Sequence, residues 1–197
     1  TGFDILHNGK RYLGCWSPLL GRHNLYPVLF ALAVAVTHAG MQVEDVLHAI
    51  TTLEALPGRM KPMLGLNNSL IIDDTHASNT ESMLAALDWL GAIRDSRQNA
   101  IAILGEFDAH GDYEQYGPRL VGQKAYQSAD VLITQGAGAT VMGRSAAEWG
   151  MKGEQIHNGY GSVGILNTLF GRYGLTSNDV ILVKGGPDEE MGQLLEG

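Results

Sequence analysis

The amino-acid sequence predicts an α/β protein. Its larger part reads as a Rossmann-like, mostly parallel, doubly wound sheet, preceded by a small hairpin-plus-helices unit. Three observations carry this reading. After residue 57, short apolar runs alternate with helix-forming segments, and such alternation builds parallel sheets from strand–helix crossovers. The runs are nearly all apolar rather than alternating, as expected for strands covered by helices on both faces. Gly105, Gly136 and Gly185 each follow such a run. That places three βα loops on one edge of the sheet, the edge where α/β folds bind ligands.

The elements follow in order. Residues 3–20 read as two short strands around His7-Asn8-Gly9-Lys10. Asn-Gly between the apolar flanks Ile5-Leu6 and Tyr12-Leu13 is a hairpin signal, because both turn residues tolerate positive φ. Two strands alone are marginally stable, so the hairpin is expected at the edge of something larger. Residues 24–39 read as a buried helix ending at Gly40. Residues 43–53 follow, with Val43, Val46, Leu47, Ile50 and Leu53 at helical spacing. Pro57-Gly58 breaks the pattern, and the domain boundary is placed there, giving domains 1–56 and 57–197. Beyond it, strands are predicted at 69–73, 100–104, 131–134 and 180–183, with a weaker one at 155–157. Helices are predicted at 81–94, 113–128, 140–149, 162–173 and 189–195.

Composition narrows the function. With 197 residues, 45% hydrophobic and 17% charged, the chain has ample material for an ordered core. A net charge of −8 without any Lys/Arg cluster excludes a general nucleic-acid binder. Trp16, Trp89 and Trp149 lack the basic, interleaved setting of a stacking platform. Cys15 is the only cysteine, which rules out an intrachain disulfide and fits a reducing compartment. The longest apolar run, 28–36, is shorter than a bilayer span, and no signal-peptide pattern precedes it; no membrane partner is expected. The first residue is Thr1, not Met, which reads as a cut from a longer protein.

Several residues are chemically suggestive. Asp73 and Asp74 end a predicted strand and point to opposite faces, so at most one readily reaches a given ligand. Asp74 reads either as an acceptor for sugar hydroxyls or, with Asp73, as a turn and N-cap residue of the next helix. His76 reads as a base, a ligand or a plain loop residue. A metal site would have to combine Asp73, Asp74, His76, Asp108 and His110, whose spacing matches no compact motif; no metal is expected. Gly136-Ala137-Gly138 lacks the third glycine of a dinucleotide fingerprint, because Val141 stands there, and it reads as a glycine turn. No Gly-x-x-x-x-Gly-Lys-Ser/Thr segment occurs, so the chain carries no P-loop. Lys184, before Gly185-Gly186, reads either as a ligand for a carboxylate or phosphate or as a solvent-facing lysine before a tight turn. His23 and Asn24 precede a helix that Asn24 could cap.

In this order and spacing the motifs resemble the C-terminal half of the Mur ligase family, most closely its D-alanyl-D-alanine-adding branch. Gly21, His23 and Asn24 match a Gly-x-His-Asn-x-x-Asn element, whose second Asn falls on Pro27. Pro57 to Met60 reproduces Pro-Gly-Arg-Met. Asp73, Asp74, Thr75, Asn79, Ser82 and Met83 match an Asp-Asp-Thr-Tyr-Asn-Ala-Asn-Pro-x-Ser-Met element, with His76, Ala77, Ser78 and Thr80 as departures. The segment 104–111 resembles Leu-Gly-Asp-Met-x-Glu-Leu-Gly, and a family histidine soon after it falls on Pro118. Lys184-Gly185 matches a late Lys-Gly-Ser with Gly186 for Ser. Each motif alone is weak; agreement of order over about 165 residues is specific.

The resemblance implies the tail of a central ATPase domain at 1–56 and a C-terminal domain at 57–197. It implies a cytoplasmic parent enzyme that uses ATP and Mg2+ to join an amino acid or D-Ala-D-Ala to a UDP-N-acetylmuramoyl peptide through an acyl phosphate. His23 and Asn24 would lie near the adenine. Arg59 and Asp74 would contact ribose or phosphate. His76, Asn79 and Lys184 would face the incoming amine substrate and its carboxylate. Without the P-loop, the isolated chain is expected to be inactive. Pro27, His76, Ala77 and Pro118 leave open a different amine substrate, a divergent ligase or lost activity. The competing readings are a non-catalytic Mur-ligase-like binding module and another superfamily ligase, such as a folate-polyglutamylating type.

Overall fold

The computed structural model describes residues 1–76, 78–97, 99–106 and 113–185. The chain divides into two compact units, the first Thr1–Leu56 and the second starting at Pro57.

In the first unit β1 (Gly2–His7) and β2 (Lys10–Trp16) form an antiparallel hairpin. Asn8 and Gly9 turn it with φ of 48° and 79°, the paired left-handed conformation for which Asn-Gly is suited. Helices α1 (Leu25–Thr37) and α2 (Val43–Ile50) follow. Val28, Leu32, Val46 and Ile50 form the core, joined by Phe3, Ile5 and Leu19. Helix α2 stops short of the predicted residue 53, in a turn at Thr51 and Thr52. The reading of 24–39 as a buried helix needs correction. Only Val28 and Leu32 of α1 are buried, while Tyr26 and Phe30 are 78% and 73% exposed. A helix apolar all round needs cover all round, and a unit this small supplies one face.

The second unit is a six-stranded sheet in the order β3-β4-β8-β5-β6-β7. Its strands are β3 (Lys61–Leu64), β4 (Leu70–Asp73), β5 (Ala100–Leu104), β6 (Val131–Gln135), β7 (Ile156–Tyr160) and β8 (Val180–Lys184). All pairings are parallel except β3 with β4. The predicted fold class is thus borne out, with the antiparallel edge strand β3 unforeseen. Crossover helices are α3 (Thr80–Ile93), α4 (Tyr113–Ser128), α5 (Thr140–Trp149) and α6 (Ser162–Thr168). The predicted helix 162–173 is two pieces, because the chain widens into a π-helical turn at Leu169–Tyr173. The predicted helix 189–195 lies outside the described residues.

Every residue of β5, β6 and β8 is buried, which explains their unbroken apolar runs. On one face Ile101, Ile103, Val131, Ile133, Ile181 and Val183 pack under Ile165 and Leu169. Alternate residues turn to the other face, where α3, α4 and α5 pack side by side. Among them α4 and α5 approach closely at Gly122: a Cβ there would clash with the Met142 carbonyl oxygen and lie 2.7 Å from Ser145 Cβ. Ser145 Oγ also donates to the Arg119 carbonyl at 2.8 Å. Gly122→Ala must push the helices apart, at an expected cost of about 1–3 kcal/mol. Denaturant unfolding measures this, and an unchanged midpoint would refute the close approach.

Candidate functional site

Two of the predicted site residues belong to the first unit. His23 lies in a 3-10 turn, Arg22–Asn24, and its ring packs so tightly over Gly21 that a Cβ there would meet His23 Cε1 at 2.5 Å. Asn24 stands at the N-cap position of α1 but does not cap it. Its φ and ψ of −75° and −10° are already helical, and its side-chain amide donates to the Leu20 carbonyl at 2.7 Å. Pro27 falls in the first turn of α1, where a missing N–H costs nothing.

The other five belong to the second unit, and four of them, Arg59, Asp74, His76 and Lys184, gather at the carboxyl end of β4. The peptide N–H of Asp74 donates to the Val183 carbonyl at 2.9 Å, which continues the β4–β8 ladder by one residue. Its carboxylate then meets the lysine that ends β8: Lys184 Nζ donates to Asp74 Oδ2 at 2.6 Å. The pair is buried, with side-chain exposures of 2% for Lys184 and 12% for Asp74. The solvent-facing reading of Lys184 is therefore overturned. Residues preceding the loop on a central strand are walled in by neighbours, and β8 lies between β4 and β5. A charge in such a place needs a partner, and Asp74 supplies one.

The N-cap reading of Asp73 and Asp74 is also overturned. Helix α3 is capped by Asn79, whose side chain accepts from the Ser82 N–H at 2.8 Å while Ser82 Oγ accepts from the Asn79 N–H at 3.0 Å. This reciprocal box engages Asn79, which the resemblance places near substrate. The two aspartates serve the turn before β3. Asp73 Oδ2 accepts from the Gly58 N–H at 2.7 Å, and Asp74 Oδ1 accepts from the Met60 N–H at 3.1 Å. The opposite-facing argument holds for strand residues; here a loop wraps the strand end and meets both carboxylates.

Arg59 stands between those two amides and is exposed, while Gly58 and Met60 are buried. Met60 takes φ of +51°, a conformation that costs a non-glycine residue about 1 kcal/mol or more. His76 is exposed, and its N–H donates to the Gly58 carbonyl at 2.9 Å. An exposed arginine and an exposed histidine thus rise from adjoining backbone above a buried ion pair. Guanidinium recognises carboxylates and phosphates by paired hydrogen bonds, so this arrangement suits an anionic ligand.

Glu106, which has no site role in the sequence reading, completes the edge together with the predicted glycine turn at Gly136. Glu106, after β5, accepts the Gly138 N–H at 2.7 Å. Gly136 takes φ of +85°, and a Cβ there would lie 2.6 Å from Glu106 Oε1. The glycine turn after β6 is therefore shaped around a carboxylate from the neighbouring loop. Among the described residues no group of three or more His, Cys, Asp or Glu side chains could hold a metal; Asp108 and His110 lie outside them. No helix of the described residues is long and apolar enough to cross a membrane.

No model of a known protein family matches the chain. Curated relatives do. The UDP-N-acetylmuramoyl-L-alanyl-D-glutamate–2,6-diaminopimelate ligase of Chlamydia caviae is 33% identical over 134 residues, which are 68% of this chain and 26% of that protein. The UDP-N-acetylmuramoyl-tripeptide–D-alanyl-D-alanine ligase of Escherichia coli is 30% identical over 95 residues, 48% of this chain and 21% of that one. Among solved structures, MurF from Acinetobacter baumannii superposes with a TM-score of 0.78 at 19% identity, covering 99% of this chain and 41% of that chain. MurF from Thermotoga maritima in complex with ADP gives 0.74 at 19% identity, covering 99% and 42%. Mycobacterium tuberculosis folylpolyglutamate synthase complexed with ADP gives 0.63 at 14% identity, covering 94% and 42%. These likenesses show the fold, and this chain spans less than half the length of each of these relatives.

Proposed function

The chain belongs to the Mur ligase family, and we propose on that premise that it is the C-terminal part of an ATP-dependent ligase of peptidoglycan precursor synthesis. In this reading the full protein adds an amino acid or D-Ala-D-Ala to a UDP-N-acetylmuramoyl peptide, in the cytoplasm. Residues 1–56 are the tail of the central ATPase domain and residues 57–197 the C-terminal domain. The exposed face of α1, with Tyr26 and Phe30, is then the face that the rest of the central domain covers.

The observation that carries the reading is the clamped edge of β4 and β8. Arg59 stands exposed between amides held by two carboxylates, and Asp74 keeps an exposed fraction beside it. The residues present suit a nucleotide. Asp74 uses one oxygen on Met60 and the other on Lys184, and a carboxylate with about four lone-pair sites still has room for a ribose hydroxyl. Arg59 supplies the fork for a phosphate. His23 and Asn24 are assigned to the adenine side, and His76 and Asn79 to the amine substrate. Lys184, held in place by its ion pair with Asp74, is assigned to the substrate's carboxylate. ATP, when bound, supplies the phosphoryl group that activates a substrate carboxylate. Mg2+, like ATP, is assigned to the full protein on the strength of the resemblance. What this chain contributes is orientation of the reactants and exclusion of water from an activated carboxyl group.

The test compares the full-length protein with the 197-residue chain. The full-length protein should release phosphate from ATP only when both the UDP-linked peptide and the amine are present. The chain alone should release none, because no P-loop cradles the phosphates. Substrate-dependent phosphate release by the chain alone would overturn the assignment of the ATPase core to other residues. Its absence from the full-length protein would favour a non-catalytic module.

A further inference from the structure

We propose that Asp73 is a positioning residue for Arg59, acting through the turn at residues 57–60. The proposal rests on the reading of Arg59 as a nucleotide contact and deepens it. Asp73 is 6% exposed and offers a ligand almost no surface. Its bonds point inward instead. Besides the Gly58 N–H, it accepts the Thr75 hydroxyl at 2.7 Å and the Thr75 N–H at 3.2 Å on Oδ1. One carboxylate therefore ties the turn before β3 to the loop after β4. The Gly58–His76 backbone bond closes the same link from the other side.

The geometry around Arg59 is specific. Gly58 and Met60 both take positive φ, +70° and +51°. Between two left-handed residues the chain folds sharply, and Arg59 is carried outward while its neighbours are buried. No Cβ fits at Gly58, where it would meet His76 N and Cβ at 2.8 Å each. The peptide N–H before Arg59 is bonded to Asp73 and the one after it to Asp74. An arginine on a mobile turn loses more freedom on binding than one on a fixed base, and the difference appears as affinity. Asp73 fits that task better than an amide would, since it accepts three donors at once and an asparagine presents one oxygen.

The experiment is a double-mutant cycle on the full-length protein with ADP as the probe, read by calorimetry and by amide hydrogen exchange. Asp73→Asn should weaken ADP binding about tenfold when Arg59 is present, and by no more than about twofold in the Arg59→Ala background. The Gly58 amide should exchange at least about tenfold faster in Asp73→Asn, while the β5 and β6 amides keep their protection. Losses that multiply in full across the two substitutions, or an unchanged Gly58 exchange rate, would overturn the proposal. If Arg59→Ala itself leaves ADP affinity unchanged, the nucleotide reading of Arg59 falls, and the positioning role falls with it even if Gly58 exchange accelerates. Unaltered ADP affinity in Asp73→Asn beside a strong Arg59→Ala effect overturns the positioning role alone. Should Asp73→Asn fail to fold, Thr75→Val removes one bond to the same carboxylate. It should show both readouts at about threefold, with the same results counting against the proposal.

Discussion

Replacing Lys184 with methionine should destabilise the second unit by about 3–5 kcal/mol, the cost of leaving a buried charge without its partner. Lys184 is 2% exposed at the end of a strand enclosed on both sides, and its ammonium meets Asp74 at 2.6 Å. Methionine fills the same volume, so the loss reports on charge and not on a cavity. Asp74 would keep the Met60 amide as a donor but lose the cation beside it. A further change, Asp74→Asn in the Lys184→Met protein, should restore most of the loss, because a neutral pair in an apolar setting costs little. Thermal unfolding checks both steps, with an expected drop of roughly 6–20 °C followed by recovery. A drop worth less than about 1 kcal/mol would place the pair among solvent-screened ion pairs and refute its burial.

What the sequence made legible follows from where burial is complete. Strands β5, β6 and β8 are buried along their whole length, so their apolar runs could be read directly, and β5 coincides with its predicted bounds. The edge strand β3 was not legible. Lys61-Pro62-Met63-Leu64 carries a proline and leaves Leu64 78% exposed, and an edge strand imposes few demands on its residues. Unbroken apolarity predicts burial of α1 on every side, but this unit covers only the face of Val28 and Leu32, so apolarity alone does not tell how much of a helix is buried. The capping role of Asn79 had a local signal three residues on, but Ser82 stands where a glutamate or glutamine is the recognised partner.

The site was half legible for a different reason. Asp74 and Lys184 are legible because strand ends and glycine turns mark the ligand edge of a parallel sheet, and Arg59 only through the Pro-Gly-Arg-Met element of the resemblance. The ion pair is not, since Asp74 and Lys184 are 110 residues apart and meet only through the β4–β8 pairing. Gly58 and Met60 belong to a motif whose spacing gives no reason for their identities. The structure gives one: a turn with two left-handed residues, gripped by the two carboxylates at the end of β4. In the sequence Asp74 reads either as a ligand for sugar hydroxyls or, with Asp73, as a turn and N-cap residue. Each aspartate also holds a backbone amide, a task that no spacing rule announces.

That double duty changes how the nucleotide role of Asp74 must be tested. In the otherwise unaltered full-length protein, Asp74→Asn removes a charge that Lys184 needs, so stability and nucleotide use should fall together and neither would explain the other. The Lys184→Met background separates them. There the ammonium is gone, and Asp74→Asn should change stability by no more than about 1 kcal/mol beyond the recovery already described. If the Asp74 carboxylate accepts a ribose hydroxyl, the Michaelis constant for ATP should still rise about ten- to a hundredfold, the equivalent of a lost charged hydrogen bond of roughly 1.5–3 kcal/mol. The turnover number should move less, because the ribose is remote from the reacting phosphoryl group and binds alike in ground and transition states. A Michaelis constant indifferent to Asp74→Asn in that background would remove the ribose from the account. Asp74 would then act only as counter-ion to Lys184 and as acceptor for the Met60 amide, and the nucleotide would have to be held by Arg59 and residues beyond this edge.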